Sequence, residues 1–128
     1  MRVLLDTHVL LWWTSDDPRL TRRARTLLAD PSNELWLSVA SAWELVIKSQ
    51  AGKLTLPEPV SNYIPTRLSH YRIEALPIEM RHVLGVAELP SHHRDPFDRL
   101  LIAQSRVERL PIVTGDPFIA RYQVETIW

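Results

Sequence analysis

The chain contains no cysteine among its 128 residues, which excludes disulfides, a thiol nucleophile and a thiolate zinc site. Its three glycines are scattered, so there is no glycine-rich phosphate-binding loop, and a G-x-S-x-G nucleophile elbow is also absent. No apolar run approaches the roughly 20 residues of a bilayer span. Asp6 and His8 interrupt the apolar start where a signal peptide would be hydrophobic. These absences favour a cytoplasmic protein without a membrane segment.

A net charge is also lacking, because 15 basic and 15 acidic residues cancel. The composition alone therefore does not indicate a nucleic-acid-binding protein. Thirteen of the 15 basic residues are arginine, a side chain that binds phosphate bidentately and stacks on bases. Codon bias in a GC-rich genome would give the same excess, so composition leaves both explanations open.

Strands and helices alternate along the chain, whose length and 45% hydrophobic content suit a single domain over residues 1–128. This alternation predicts an α/β fold with a mainly parallel sheet of four to five strands and helices on both faces. Strands are predicted at 2–5, 35–39, 71–76, 110–113 and 123–127, and helices at 8–13, 21–29, 41–51 and 79–88, with a helix broken near Pro65 that ends at about Ser69 and a turn at 114–117.

The stretch 93–104 predicts the start of a mostly buried helix over 95–109. Asp95 suits the N-cap, Pro96 the first helical position and Asp98 the third, where a carboxylate meets free backbone N–H groups. Capping alone explains both acids.

Four acids share a position relative to the predicted sheet. Asp6 follows the first strand and Asp116 follows the strand of Ile112, at the carboxyl ends where parallel sheets bind ligands. Glu44 and Asp98 are expected in the first turns of their helices, which begin at the same edge. Each acid alone is an ordinary cap or turn residue, but capping does not predict that all four face one edge.

Converging carboxylates repel one another unless a cation is bound. Mg²⁺ prefers oxygen ligands and keeps several waters, so a few carboxylates suffice. One or two such ions can orient a phosphodiester, activate a water and stabilise the leaving oxygen.

His92 and His93 have no partners at zinc spacing. Four tryptophans follow apolar patterns and are expected in the core or at an interface: Trp12, Trp13, Trp36 and Trp43.

Four segments together resemble a PIN domain, and in particular a VapC-type toxin of bacterial toxin–antitoxin pairs. They are LLDTH at 4–8, SVASAWE at 38–44, HRDPFDRLLIAQ at 93–104 and VTGD at 113–116. They occur in the family's order and span essentially the whole chain.

The resemblance implies an endoribonuclease that depends on Mg²⁺, with Mn²⁺ as a substitute. It also implies a parallel sheet flanked by helices, a homodimer and a VapB-type antitoxin whose tail occupies the acidic groove. The family's acidic positions, catalytic and metal-binding, fall on Asp6, Glu44, Asp98 and Asp116.

Two threonines lie beside these acids in the same motifs. Thr114 matches a Ser/Thr often found beside the fourth acid, and Thr7 follows the first acid as a supporting residue. Asp95 stays open as a metal contact, although its expected role is the helix N-cap.

Two other classes of function compete with this one. A PIN-like RNA- or protein-binding module that has lost catalysis would lack an acid, and none is missing. A phosphotransfer domain would need an active-site lysine late in the chain, and no lysine follows Lys53. For the nuclease, a single-stranded or loop RNA is the expected substrate, because in-line attack requires an exposed and bendable backbone.

Overall fold

The computed structural model describes residues 1–128, which form five strands and seven helices. The strands are β1 (Arg2–Leu5), β2 (Glu34–Ser38), β3 (Ile73–Leu76), β4 (Ile112–Val113) and β5 (Thr126–Ile127). The helices are α1 (Thr7–Thr14), α2 (Arg22–Ala29), α3 (Val39–Gln50), α4 (Val60–His70), α5 (Met80–Val86), α6 (Pro96–Glu108) and α7 (Pro117–Ala120). None of these helices combines the length and hydropathy needed to cross a membrane.

The five strands form one sheet in the order β3-β2-β1-β4-β5, and every pair is parallel. Leu5 in the central strand pairs with Leu37 on one side and with Val113 on the other. From β1 the chain builds the sheet outward to β3, and then returns to the other side of β1 with β4. The order therefore reverses between β1 and β4, and ligand sites of open α/β sheets lie beyond the carboxyl ends of such strands.

Helices cover both faces of the sheet, which confirms the predicted α/β architecture. Because side chains alternate along a strand, Val3 and Leu5 contribute to a core beneath α1 to α4, whereas Leu4 contributes to a core beneath α5 to α7. Two hydrophobic layers thus hold the central strand, whose three apolar residues are fully buried.

The start of α3 differs from the prediction. The helix begins at Val39, directly after β2, because the Ser38 hydroxyl accepts a hydrogen bond from the Ala40 amide at 3.0 Å and caps it. The predicted start at residue 41 was two residues late. Glu44 consequently lies in the second turn of its helix, and the prediction of the first turn was wrong.

Helix α4 runs unbroken through Pro65, contrary to the predicted break. Val60, Ile64 and Leu68 pack against the core on both sides of the proline, and this packing holds the helix together although one backbone donor is missing. Strand β3 begins only at Ile73, after the predicted start at residue 71.

The turn predicted at 114–117 leads instead into the short helix α7. Asp116 accepts a hydrogen bond from the Phe118 amide at 2.8 Å, and Pro117 occupies the first helical position. This is the same Asp-Pro arrangement that predicts a helix start at Asp95 and Pro96. Strands β4 and β5 are each two residues long, shorter than predicted.

Candidate active site

Asp6 lies at the carboxyl end of β1, next to the point where the strand order reverses. It stands at the N-cap position of α1, yet its side chain makes no capping hydrogen bond. Its carboxylate instead accepts a hydrogen bond from the Thr114 hydroxyl at 2.8 Å. The Asp6 amide donates to the Val113 carbonyl at 3.1 Å. The buried Asp6 carboxylate is therefore held by the neighbouring strand, with a second oxygen left for another partner.

The Thr114 hydroxyl joins Asp6 to Asp116. It accepts a hydrogen bond from the Asp116 amide at 3.0 Å while it donates to Asp6. Gly115 lies between them against the indole of Trp128, where a Cβ atom would be 2.5 Å from a ring carbon. A side chain at this position would therefore displace either the indole or the segment that carries Asp116.

Glu44 points from the second turn of α3 and is buried, with 4% of its surface exposed. It accepts a hydrogen bond from Lys48 at 2.7 Å, one helical turn further along α3. Burial disfavours the charged lysine, but this hydrogen bond and the charges of Glu44, Asp95 and Asp98 outweigh it and raise the pKa of Lys48. Lys48 is thus a fixed cation beside the acids.

At the start of α6 the two acids have separate environments. Asp95 is the predicted N-cap, and its Oδ1 accepts hydrogen bonds from the amides of Phe97 at 2.9 Å and Asp98 at 3.1 Å. Asp98 faces His93, whose Nε2 lies 3.4 Å from its Oδ2. One acid is committed to the backbone, whereas the other is available to the site.

His93 connects Asp98 to a buried tyrosine. The Tyr122 hydroxyl lies 2.8 Å from His93 Nδ1 and accepts a hydrogen bond from Arg99 at 3.1 Å. The hydroxyl can donate to Nδ1 while it accepts from Arg99. His93 therefore links Asp98 to Tyr122 and Arg99.

Burial and the neighbouring acids together shift the pKa values of two of these carboxyl groups. Burial raises the pKa of Asp98 to about 8, and the charges of Asp95, Asp6, Glu44 and Asp116 add to this shift. Burial likewise raises the pKa of Asp6, assisted by Asp116 and Glu44 and opposed by the Thr114 hydrogen bond and by His8. The structure therefore brings together all four acids that the sequence pattern singles out, as well as Asp95.

This donor set fits a hard divalent cation. All candidate ligands are oxygens, and the pKa values of Asp6 and Asp98 are raised first by burial and, to a lesser extent, by the charges of the neighbouring carboxylates. No three of these carboxylates approach within 4.8 Å of one another, so one Mg²⁺ would contact only one or two of them directly and reach the others through the waters that this ion keeps.

A tighter cluster lies elsewhere, where α5 packs on α6. Ligand atoms of Glu79, His82 and Glu108 lie within 4.8 Å of one another. Arg81, however, bridges Glu79 and Glu108, and His82 Nε2 donates to Glu108 at 2.9 Å. The charges and hydrogen bonds of these groups are thus satisfied within the cluster. We interpret this α5–α6 cluster as a structural contact that holds the two helices together.

Several residues near the acids were missed by the sequence analysis. The i, i+4 spacing of Glu44 and Lys48 was a local signal that indicates an ion pair. No such signal exists for His93, Arg99 and Tyr122, which meet only through the fold. Thr7, in contrast, was selected and is found buried at the first position of α1.

Comparisons with known proteins agree with this fold. The family model described as "PIN domain" matches residues 3–125. Ribonuclease VapC22 of Mycobacterium tuberculosis is 29% identical over 89% of this chain and 86% of its own length. Ribonuclease VapC16 of the same organism is 38% identical over 51% of this chain, a match that spans 49% of that protein.

Among solved structures, the crystal structure of VapBC2 from Rickettsia felis bound to a DNA fragment from their promoter contains a similar chain. It superposes with a TM-score of 0.74 over 99% of this chain and 98% of that chain, at 19% identity. This likeness shows the fold. The family match over nearly the whole length establishes that the chain belongs to the PIN domain family, in which the VapC ribonucleases are its relatives.

Proposed function

We propose that this protein is the toxin of a VapBC-type toxin–antitoxin pair and acts as an endoribonuclease that requires Mg²⁺ or Mn²⁺. The observation that carries the proposal is the acidic edge of the sheet, where burial and four other carboxylates raise the pKa of Asp98 to about 8. A cation-binding site of this charge, in a relative of two proteins named ribonucleases, is suited to cleave RNA phosphodiester bonds.

In this proposal Asp6, Glu44, Asp98 and Asp116 hold the ion and form the catalytic set. A bound divalent ion would polarise a water and neutralise charge on the phosphate and the leaving oxygen. Thr114 holds the Asp6 carboxylate and the Asp116 backbone in register. Thr7, at the first position of α1, supports the turn after Asp6.

The proposed partners are a cognate VapB-type antitoxin and a second copy of the chain, in the cytoplasm where RNA substrates are found. Large apolar side chains on two helices support a protein partner, because such exposed stripes mark interaction surfaces. On α3 these are Val39, Trp43 and Ile47, with 42%, 59% and 39% of their surface exposed. On α5, Met80 and Leu84 are 72% and 61% exposed.

Cleavage of single-stranded RNA by the purified protein tests the function. Activity should disappear in excess chelator and return with Mg²⁺ or Mn²⁺ but scarcely with Ca²⁺, whose larger and looser shell positions water poorly. Asp6→Asn should abolish cleavage with an intact melting transition, whereas Glu108→Gln in the α5–α6 cluster should keep it. Cleavage that persists in chelator would refute the metal mechanism. RNA binding without any cleavage would favour the inactive binding module.

A further inference from the structure

A cleft next to the acidic edge has no role in the proposed chemistry. It has a volume of about 500 Å³ and lies between α1, the end of α3 and the segment from Leu54 to Pro57. Thr7 and Lys48, which adjoin Asp6 and Glu44, line it on the side of the acids. Its size is that of a site for one small organic ligand.

A second, smaller cleft of about 430 Å³ contains Asp6 and Asp116 themselves. The two clefts share His8, Trp12 and Arg19 as lining residues, and we call this common boundary the ridge. A chain molecule that passes over this ridge would therefore extend from the acids directly into the larger cleft.

The charge of the larger cleft is opposite to that of the acidic one. Both lysines of the chain, Lys48 and Lys53, line it, together with Arg19 and only one acid, Asp17. Arg19 is bound by Asp17 through two hydrogen bonds of 3.1 and 2.8 Å. Lys48 is bound by Glu44. Lys53 has no side-chain partner and is exposed, so it is the cation free to receive an anion.

The backbone at the end of α3 places Lys53 in the cleft. Gly52 adopts a left-handed conformation with φ of +71°, and the Lys53 amide then donates to the Lys48 carbonyl at 3.0 Å. This 6→1 hydrogen bond is that of a Schellman motif, and it folds the chain back on the helix end. The two lysines consequently line the same cleft although they are five positions apart in the sequence.

Aromatic surface forms the ridge. Trp12 is half-buried: it packs against the core on one side and lines both clefts. Arg19 lies over its ring at 4.8 Å, and the rings of His8 and Trp128 lie 5.8 Å from it. Trp12 was expected in the core or at an interface, and it packs against the core while part of its ring stays exposed. Aromatic rings beside cations are the means by which proteins bind unpaired bases and their phosphates.

We infer that the larger cleft, formed by α1, the α3 end and residues 54–57, binds one unpaired nucleotide of the RNA next to the cleaved bond. Lys53 receives its phosphate, and its base lies against Trp12. This inference rests on the proposed nuclease function. It gives that function a chemical preference for single-stranded RNA, because a base held within a duplex cannot enter the cleft.

Cleavage kinetics on a labelled single-stranded oligoribonucleotide test Lys53. We expect Lys53→Ala to raise KM by about fivefold or more at nearly constant kcat, and to lower the salt dependence of KM by roughly 0.7 in logarithmic slope, the value for one phosphate contact on a single strand. Lys53→Arg should restore most of the affinity. Arg106→Ala is the matched control, since Arg106 is exposed near the opposite end of α6.

Trp12 is tested by a pair of variants and by crosslinking. Trp12→Leu should raise KM by about tenfold whereas Trp12→Phe should change it little, because stacking needs an aromatic face. Melting curves check that both variants fold. A 4-thiouridine placed beside the cleaved bond should crosslink to the peptide of Trp12 or to that of residues 54–57.

The possible outcomes distinguish a failure of this inference from a failure of the proposed nuclease function. If the wild type cleaves RNA and the Lys53 and Trp12 variants leave KM, salt slope and crosslinks unchanged, the cleft does not bind RNA and only the inference fails. If these variants resist the antitoxin but keep KM, the cleft binds protein instead, which also overturns it. If the wild type neither binds nor cleaves the oligoribonucleotide, the proposed function fails and the inference with it.

Discussion

At the scale of single residues, Asp95 and Asp98 show how neighbouring acids acquire different roles. Asp95 accepts hydrogen bonds from two backbone amides at the start of α6. The first amides of a helix have no partner within the helix and need such an acceptor. Asp98 lies one turn further and is surrounded by carboxylates, Lys48 and His93. The first role is local, and the second depends on the fold.

Substitution by asparagine distinguishes the two acids. Asp95→Asn should keep the melting temperature and most of the activity, because Asn caps a helix about as well as Asp, whereas Asp95→Ala should cost about 0.5–2 kcal/mol. Asp98→Asn should reduce cleavage by about 100-fold or more with the fold intact, because a charged ligand is lost. Cleavage rates at saturating Mg²⁺, measured beside melting curves, decide this. If Asp95→Asn is inactive and Asp98→Asn is active, the two roles are exchanged. If both variants fold but are inactive, both acids serve the site.

The raised pKa of Asp98 predicts how stability depends on pH. Its value is about 8 in the folded protein, against 3.8 for an ordinary aspartate. Between these values the folded state holds a proton that the unfolded chain has released, so the free energy of unfolding falls as pH rises from about 4 to about 8 and then levels off. The metal-free protein should lose at least about 1 kcal/mol over this range from this group alone, since one pKa unit corresponds to roughly 1.4 kcal/mol.

Thermal unfolding in chelator at several pH values measures this effect. Asp98→Asn is the control, because all other side chains are common to the two proteins and only the Asp98 carboxyl is removed. Wild type should lose stability toward pH 8 more steeply than the variant. Equal slopes in the two proteins would show that the fold does not raise the pKa of Asp98.

At the scale of elements, local signals predicted helix α6 because its Asp-Pro start and long apolar face agree. The same Asp-Pro signal at Asp116 predicted only a turn, because α7 is only four residues long and offers no periodicity. Pro65 was given too much weight, since packing on the core outweighs one lost hydrogen bond. The His93–Tyr122–Arg99 contacts could not be predicted, because no local pattern specifies which distant side chains meet.

Two glycines in different elements should respond oppositely to alanine. Gly52 ends α3 with φ of +71°, and a Cβ atom added there would meet nothing within 4 Å, so Gly52→Ala should destabilise by about 1 kcal/mol through backbone strain alone. Gly85 lies within α5, where a Cβ would make ordinary contacts at 3.5 and 3.7 Å. Gly85→Ala should therefore stabilise by up to about 1 kcal/mol. Urea unfolding of both variants checks this, and a neutral Gly52→Ala would contradict the strain.

At the scale of the whole molecule, the topology assembles the site from distant parts of the chain. The reversal of strand order brings Asp6 and Asp116 side by side, 110 residues apart in sequence. Helices α3 and α6 then add Glu44 and Asp98 from opposite faces of the sheet. Alternating strands and helices were enough to predict this convergence, because parallel strands all end at one edge.

Binding of Mg²⁺ to this site should stabilise the folded protein by mass action. At a concentration about 100-fold above Kd, the expected gain is roughly 2.7 kcal/mol, seen as a higher melting temperature. An Asp6→Asn, Asp98→Asn double variant should lose the gain. Glu79→Gln and Glu108→Gln should retain it, because their cluster is already satisfied by Arg81. A shift that disappears only in the latter variants would place the ion in the α5–α6 cluster.

The contact between Trp128 and Gly115 makes the acidic edge optically visible. Trp128 and Trp12 lie 5.8 Å apart and both line the cleft of Asp6 and Asp116. An ion that draws these carboxylates together should alter the polarity and quenching around the two indoles, and hence the intrinsic fluorescence. Trp128→Phe should remove much of the change during a Mg²⁺ titration, whereas Trp36→Phe, on β2 beside Glu34, should preserve it. The protein would then report the occupancy of its own site without any added label.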